Sequence, residues 1–249
     1  MGKLIHNELL KLKYSGSVKI VWGYFLFAVI LAGFMPVEEE LLDIMGVGYG
    51  VSFVLIPFNG AMIFGVLAAM TAGMITQEFS QGTIHNALSC GVSRRQYFAA
   101  KIMSLFGMAL VTYPVSLIAA VALRSVVFGF NPQALTYPDY LQVNLVYHFS
   151  MMTLILIYVS IYILLAYIFK HPAHAFMAGI AELILELILI KDNTSLGGPL
   201  QAMRVISNSL VEGYDILQLG IMRLLLPGIA MGILSLVLAY MIFMKKDVD

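Results

Sequence analysis

Four stretches of this chain carry no Asp, Glu, Lys or Arg over 34, 22, 30 and 21 residues: Ile44 to Gln77, Ile102 to Leu123, Tyr140 to Phe169 and Leu224 to Met244. A helix rises 1.5 Å per residue, so about 20 apolar residues cross roughly 30 Å of hydrocarbon. Each stretch is long enough to do so. With 61% hydrophobic and 11% charged residues, against about 45 to 50% and 25% in soluble domains, lipid rather than water is the main solvent. Backbone groups in lipid must be satisfied internally, and runs of this length select helices over barrel strands. The expected class is an all-α polytopic membrane protein.

Six spans are expected, at about 18–36, 54–76, 101–123, 146–169, 172–190 and 224–244. The first follows Lys3, Lys11, Lys13 and Lys19, as in a signal peptide, but no small-x-small cleavage site precedes Pro36, so it reads as an uncleaved span. The fifth carries Glu182 and Glu186, each costing about 2.5 to 3.5 kcal/mol at a bilayer centre. Six spans put both termini on one side, together with Arg94, Arg95, Lys101, Lys170, Lys245, Lys246 and the four N-terminal lysines. Arg124, Lys191, Arg204 and Arg223 remain opposite. By the positive-inside rule both termini face the cytoplasm. Glu38 to Glu40 and Asp43 fall on outer segments.

No repeat period and no low-complexity linker divides the chain, so residues 1–249 read as a single transmembrane domain. Fourteen basic residues balance fourteen acidic ones, leaving no field to attract nucleic acid. Cys90 is the single cysteine. It can form no internal disulfide and no metal or redox motif.

Three segments outside the spans carry information. Residues 2–15 space Ile5, Leu9 and Leu12 along one helical face, with Lys3, Glu8, Lys11 and Lys13 elsewhere. This reads as a short interfacial helix or as a basic flank that orients the first span. In residues 77–101, Gly82 and Thr83 open a run in which Ile84, Ala87 and Leu88 recur at helical spacing, and Gly91 stops it. Ser93 and Gln96 then form the two halves of a capping box ahead of the third span. Ile84 and Leu88 can face the bundle, while His85, Asn86, Arg94 and Arg95 can face a soluble partner. The plainer alternative is a basic loop obeying positive-inside.

Glu78, Gly82-Thr83, Gly91-Val92-Ser93-Arg94 and Lys101 resemble the cytoplasmic loop of type-2 (ABC-2) permeases of ATP-binding-cassette exporters. In that loop an acid, a Gly-Thr pair, a Val/Ile-Ser-Arg triplet and a Lys recur in this order. Asn7, Glu8 and Lys11 resemble the family's N-terminal elbow helix. Many members carry Pro where this chain has Gly91. The resemblance implies a coupling helix that docks into an ATPase subunit, with Glu78, Gly82, Thr83, His85, Asn86, Ser93, Arg94, Arg95 and Lys101 as the coupling residues. It also implies two copies of a separate ATPase subunit holding ATP and magnesium, and a second permease chain forming a homodimer or a paralogous heterodimer. The expected location is a bacterial plasma membrane. This chain has no G-x-x-x-x-G-K-[ST] phosphate loop. It is therefore not expected to hydrolyse nucleotide, and no cofactor is expected in it.

Glu182 and Glu186 share a face of the fifth span and read either as groups lining a transport pathway or as structural groups protonated or paired with Arg124, Arg204 or Arg223. His148 reads as a hydrogen-bonded interior residue, since no metal-spaced partner accompanies it. His171 and His174 flank an inner turn at Pro172. The outer segment 191–222 breaks at Gly197-Gly198-Pro199. It then spaces Leu200, Met203, Ile206 and Leu210 as a half-buried helix.

The alternative function is an ion-coupled secondary transporter using Glu182 and Glu186, but the two halves share no pattern that would mark a repeat. An intramembrane hydrolase lacks its chemistry, because no H-E-x-x-H occurs. Apolar spans and 16 Met suit a hydrophobic or amphipathic cargo, and small permeases of this kind suggest antimicrobial or cytolytic peptides, or immunity to them.

Overall fold

The computed structural model describes residues 2–34, 64–128, 140–191 and 221–245, which are helical throughout apart from short turns. In chain order the helices are α1 (Gly2–Tyr14), α2 (Gly16–Phe34), α3 (64–80), α4 (Thr83–Ser89), α5 (Arg94–Phe128), α6 (Tyr140–Phe169), α7 (Pro172–Lys191) and α8 (Ile221–Lys245). No strand occurs among the described residues. Among the described residues, four helices are long and apolar enough to cross a membrane: α2, α5, residues Leu145–Phe169 of α6 and Leu225–Lys245 of α8. They coincide with the first, third, fourth and sixth expected spans. Residues 54–63 of the second span and the outer segment with Gly197-Gly198-Pro199 and its helical run lie outside the described residues.

The centre of the bundle is α6, which packs along α8 most extensively and also against α7 and α5. Its buried residues include Tyr147, Leu154, Tyr158, Tyr162, Ala166 and Tyr167. By contrast α2 buries one narrow line, Val18, Val21, Phe25, Ala28 and Ala32, against α5, and leaves Ile20, Leu26, Phe27 and Ile30 outward. An exposed apolar surface of that extent is stable only in lipid. Gly33 lets the two helices meet, since a Cβ there would strike the Leu123 side chain.

Two helices run past their expected ends. At 35 residues, α5 is about 52 Å long and exceeds the hydrocarbon thickness. It begins a full turn or more before the third span, at the residue after Ser93. The capping box forms there: the Ser93 Oγ accepts from the Gln96 N–H and the Gln96 Oε1 accepts from the Ser93 N–H, both at 3.3 Å. The other, α3, continues one turn beyond residue 76, which carries Glu78 on a helix rather than in a loop.

Candidate functional site

At the end of the bundle bearing α1 and α4, the reversal from α3 into α4 depends on Gly82, whose φ of 64° lies in the left-handed region. Thr83 Oγ1 donates back to the Glu78 carbonyl at 3.4 Å. The short helix presents two faces. Ile84 is buried, Ala87 and Leu88 are half-buried, and His85 and Asn86 are exposed. After Ser89 the chain turns through Gly91, whose N–H donates to the Leu88 carbonyl at φ 85°. Proline, with φ near −65°, cannot make that turn. Gly91 therefore closes α4 by a left-handed glycine turn that a proline could not make.

Beneath α4 lies a group of charges that the sequence leaves scattered. Lys11 Nζ is 2.6 Å from Glu8 Oε1 and 2.7 Å from Glu78 Oε1, Lys101 Nζ is 2.8 Å from Glu78 Oε2, and Lys101 also pairs with Glu8 Oε2. The four charges alternate in a closed ring joining α1, α3 and α5. Tyr97 donates to Glu78 Oε2 as well. Glu8 is 2%, Lys101 2% and Glu78 7% exposed, so the ring is tucked inside the protein with only Lys11 reaching outward. Burial alone would push the Glu78 carboxyl up. The Lys101 charge beside it, with hydrogen bonds from Lys101, Lys11 and Tyr97, outweighs burial and holds it below the ordinary carboxylate value. Burial alone would lower Lys11, but hydrogen bonds and charges from Glu78 and Glu8 hold it above the ordinary lysine value. A cavity of about 330 Å³ opens beside the ring, lined by Lys11, Ser15, Gln77, Gln81 and Thr83 among others.

An aromatic layer supports the ring. Tyr97 stacks on Phe243, and Phe98 meets Tyr167, Tyr240 and Phe243 at centroid distances of 5.3 to 5.8 Å. Arg94 donates to the carbonyls of Phe243 and Met244 at 3.4 and 3.3 Å, which places a cation at the C-terminus of α8. Arg94→Glu should reverse that interaction and destabilise the α5–α8 contact by about 1 kcal/mol. Thermal unfolding of the purified chain measures it, and an unchanged midpoint would refute it.

The sequence-derived residues thus divide. Gly82, His85, Asn86, Ser93 and Arg95 are exposed and Thr83 half-exposed, whereas Glu78 and Lys101 are turned inward and Arg94 holds α8. The sequence sets Glu8 off the apolar stripe of Ile5, Leu9 and Leu12. In the structure Ile5, Glu8 and Leu12 form the inward line of α1, and Leu9 is exposed. The signal for it is the i, i+3, i+7 spacing of those three residues, with Lys11 one turn on from Glu8.

Glu182 and Glu186 sit on α7 facing α6, where Tyr158 donates to Glu186 Oε2. The arginine partner considered for them in Arg124 is not there. Arg124 donates instead to the Ala32 carbonyl at 3.0 Å and lies over the Phe128 ring at the α2–α5 contact. His148 is a hydrogen-bonded residue, its Nδ1 2.9 Å from the Tyr113 hydroxyl. The rings of His171 and His174 lie 4.9 Å apart just past the α6–α7 turn, where Lys170 takes φ 54°. Among the described residues no group of three His, Cys, Asp or Glu could hold a metal ion.

A bundle of long apolar helices, four of them able to cross a membrane among the described residues, fits an integral membrane protein. The model of the ABC-2 family transporter proteins matches residues 4–185, and the chain belongs to that family. It is a multi-pass membrane component of an ATP-binding-cassette transporter, partnered by an ATPase. A search of curated proteins gives no match.

Proposed function

We propose that this chain is the permease subunit of an exporter that moves a hydrophobic or amphipathic cargo, antimicrobial or cytolytic peptides included, using ATP and magnesium held by a separate ATPase subunit. The observation that carries the reading is α4: a two-turn helix anchored on its inner side by Ile84, displaying His85 and Asn86 outward, and tied at Thr83 to the Glu78 carbonyl. A helix this short has little stability of its own, so it holds its shape through tertiary anchoring. That suits a surface which must transmit motion. On this reading α4 is the coupling helix, α1 the elbow, and Arg95 with Gln81 extends the docking face. The whole of residues 1–249 forms one six-span domain with both termini in the cytoplasm of a bacterium. Two such domains, identical or paralogous, join two ATPase copies.

Cys90 supplies the test, because it is exposed at the end of α4 and is the chain's single cysteine. The full chain is co-expressed with a candidate ABC ATPase subunit, and a short bifunctional reagent is attached at Cys90. The expected result is a crosslink to the ATPase that Arg95→Glu weakens, and ATP hydrolysis by the complex but not by the chain alone. A complex that forms with Cys90 freely accessible and never crosslinked would refute docking at α4.

A further inference from the structure

The α6–α7 turn brings together two histidines that the permease reading does not use. Lys170 ends α6, its N–H donating to the Ala166 carbonyl at 3.0 Å, and its φ of 54° turns the chain back. The His171 carbonyl then accepts the Ala175 N–H at 3.0 Å, the first bond of α7. His171 is therefore the N-cap, Pro172 the first helical residue and His174 the third. Proline in that place presets the entry of the helix. N-cap and third residue are also the positions whose side chains meet in a capping box. Here the side chains that meet are imidazoles, with ring centroids 4.9 Å apart and planes inclined at 46°. Both residues are exposed, so each ring can turn about its Cβ–Cγ bond without disturbing the core. The neighbouring Lys170 ammonium lies over the Phe79 ring of α3, 5.4 Å from its centroid. Phe79 belongs to the last turn of α3, so the pair sits at the end of the bundle that carries α4.

We propose that His171 and His174 form a two-imidazole binding site for a divalent transition-metal ion of the nickel, copper and zinc group. An imidazole nitrogen lies about 2.0 to 2.1 Å from such an ion, which puts each ring centroid about 3.2 Å from it. Two rings at right angles around the ion would then have centroids about 4.5 Å apart, and two at the tetrahedral angle about 5.2 Å. The observed 4.9 Å falls between the two. The turn thus spaces the pair for chelation in advance, which cuts the cost of ordering the ligands on binding. No group of three His, Cys, Asp or Glu occurs among the described residues, so water completes the coordination and the ion stays exchangeable. Selectivity follows from the same donors. Magnesium and calcium seek oxygen ligands, and the positive end of the α7 dipole opposes a cation held by charge alone. Nickel, copper and zinc suit imidazole, and copper binds it most strongly. Once bound, the ion would clasp the N-cap of α7 to its first turn and stiffen the α6–α7 reversal. This goes beyond the permease assignment and does not rest on it.

The experiment titrates the purified full chain, free of any polyhistidine tag, in detergent at about pH 7.5, where free imidazole is mostly neutral. Copper, nickel and zinc chlorides are added in a calorimeter, with magnesium chloride as the control. The expected result is saturable binding of about one copper ion per chain, weaker binding of nickel and zinc, and none of magnesium. Loss of an outer-shell partner already costs about 10 to 100-fold in metal affinity, so His171→Ala or His174→Ala, which removes a ligand, should weaken copper binding at least tenfold. Both side chains are exposed, so each variant should fold, and its melting temperature without metal checks this. His6→Ala and Cys90→Ser remove other exposed donors and should leave the affinity unchanged. Electron paramagnetic resonance of the copper-loaded chain should show coupling to two imidazole nitrogens, reduced to one in either histidine variant. Absence of saturable copper binding would overturn the site. So would an affinity that neither histidine variant moves, or binding that disappears with His6 or Cys90.

Discussion

Glu78→Ala and Lys101→Ala are each expected to destabilise the chain by about 3 to 5 kcal/mol, because each strands opposite charge in a buried setting. Lys101 contacts only Glu8 and Glu78 in the ring, and Glu78 contacts only Lys11 and Lys101. Removing Glu78 and Lys101 together leaves Glu8 and Lys11 paired at 2.6 Å. The double variant should therefore cost well below the sum of the two, with a coupling of about 1 to 3 kcal/mol. A charge swap separates a ring from an isolated pair. Glu78→Lys with Lys101→Glu preserves their mutual attraction but sets Lys11 beside a new cation and Glu8 beside a new anion. In an alternating ring the swap should fail to rescue stability. Full recovery, measured by thermal unfolding in detergent, would reduce the ring to one pair. Sign fixes the pH response. The depressed carboxyl of Glu78 contributes fully above the ordinary carboxylate value of 4.5, and that contribution fades as pH falls through its lower folded value. Raised Lys11 contributes fully below the ordinary lysine value of 10.5, and its contribution fades as pH rises through the higher folded value. Between those ordinary values Glu78 and Lys11 should add no pH dependence.

Which features were legible in the sequence follows from the range of the interactions. The charge-free runs predict α5, α6 and α8, and the apolar run after Lys19 predicts α2, because insertion into lipid depends on composition over some 20 residues, whatever the neighbours. The Ser93–Gln96 box and the Gly82 and Gly91 turns were equally readable, since a cap or a left-handed turn is decided within four residues. The ring was not. Glu8 and Glu78 are 70 positions apart, and nothing local says that a charged residue beside Ile5 and Leu12 points inward. From the sequence Glu78 falls in the loop of residues 77–101. Because α3 continues past residue 76, Glu78 lies instead against Lys101 and Tyr97. Likewise a tyrosine on the adjacent helix, which the sequence did not suggest as a partner, donates to Glu186, while Arg204 and the Arg223 side chain lie outside the described residues. A phenol donates a hydrogen bond without bringing charge into the membrane, and hydropathy does not register that advantage.

Ile84→Ala should separate docking from folding. Ile84 is 2% exposed and belongs to the main core, so truncation removes about 2 to 4 kcal/mol of packing by the usual cost of such cavities. The loss falls on α4 alone, a seven-residue helix far below the length at which helices are stable by themselves. The ring, the Ser93–Gln96 cap and the Arg94 contact to α8 do not involve Ile84, so the bundle should keep its melting temperature while α4 opens locally. Since each 1.4 kcal/mol is about tenfold in population, crosslinking from Cys90 to the ATPase and stimulation of ATP hydrolysis should each fall by more than tenfold. Replacing His85 and Asn86 together by Ala should reduce docking without opening α4, because both side chains are exposed and alanine favours helix. Hydrogen exchange over residues 83–89 distinguishes the two variants, fast in Ile84→Ala and unchanged in the His85, Asn86 variant. If Ile84→Ala exchanged slowly and still coupled fully, the anchoring of α4 would have no part in coupling, and the outward face alone would have to account for it.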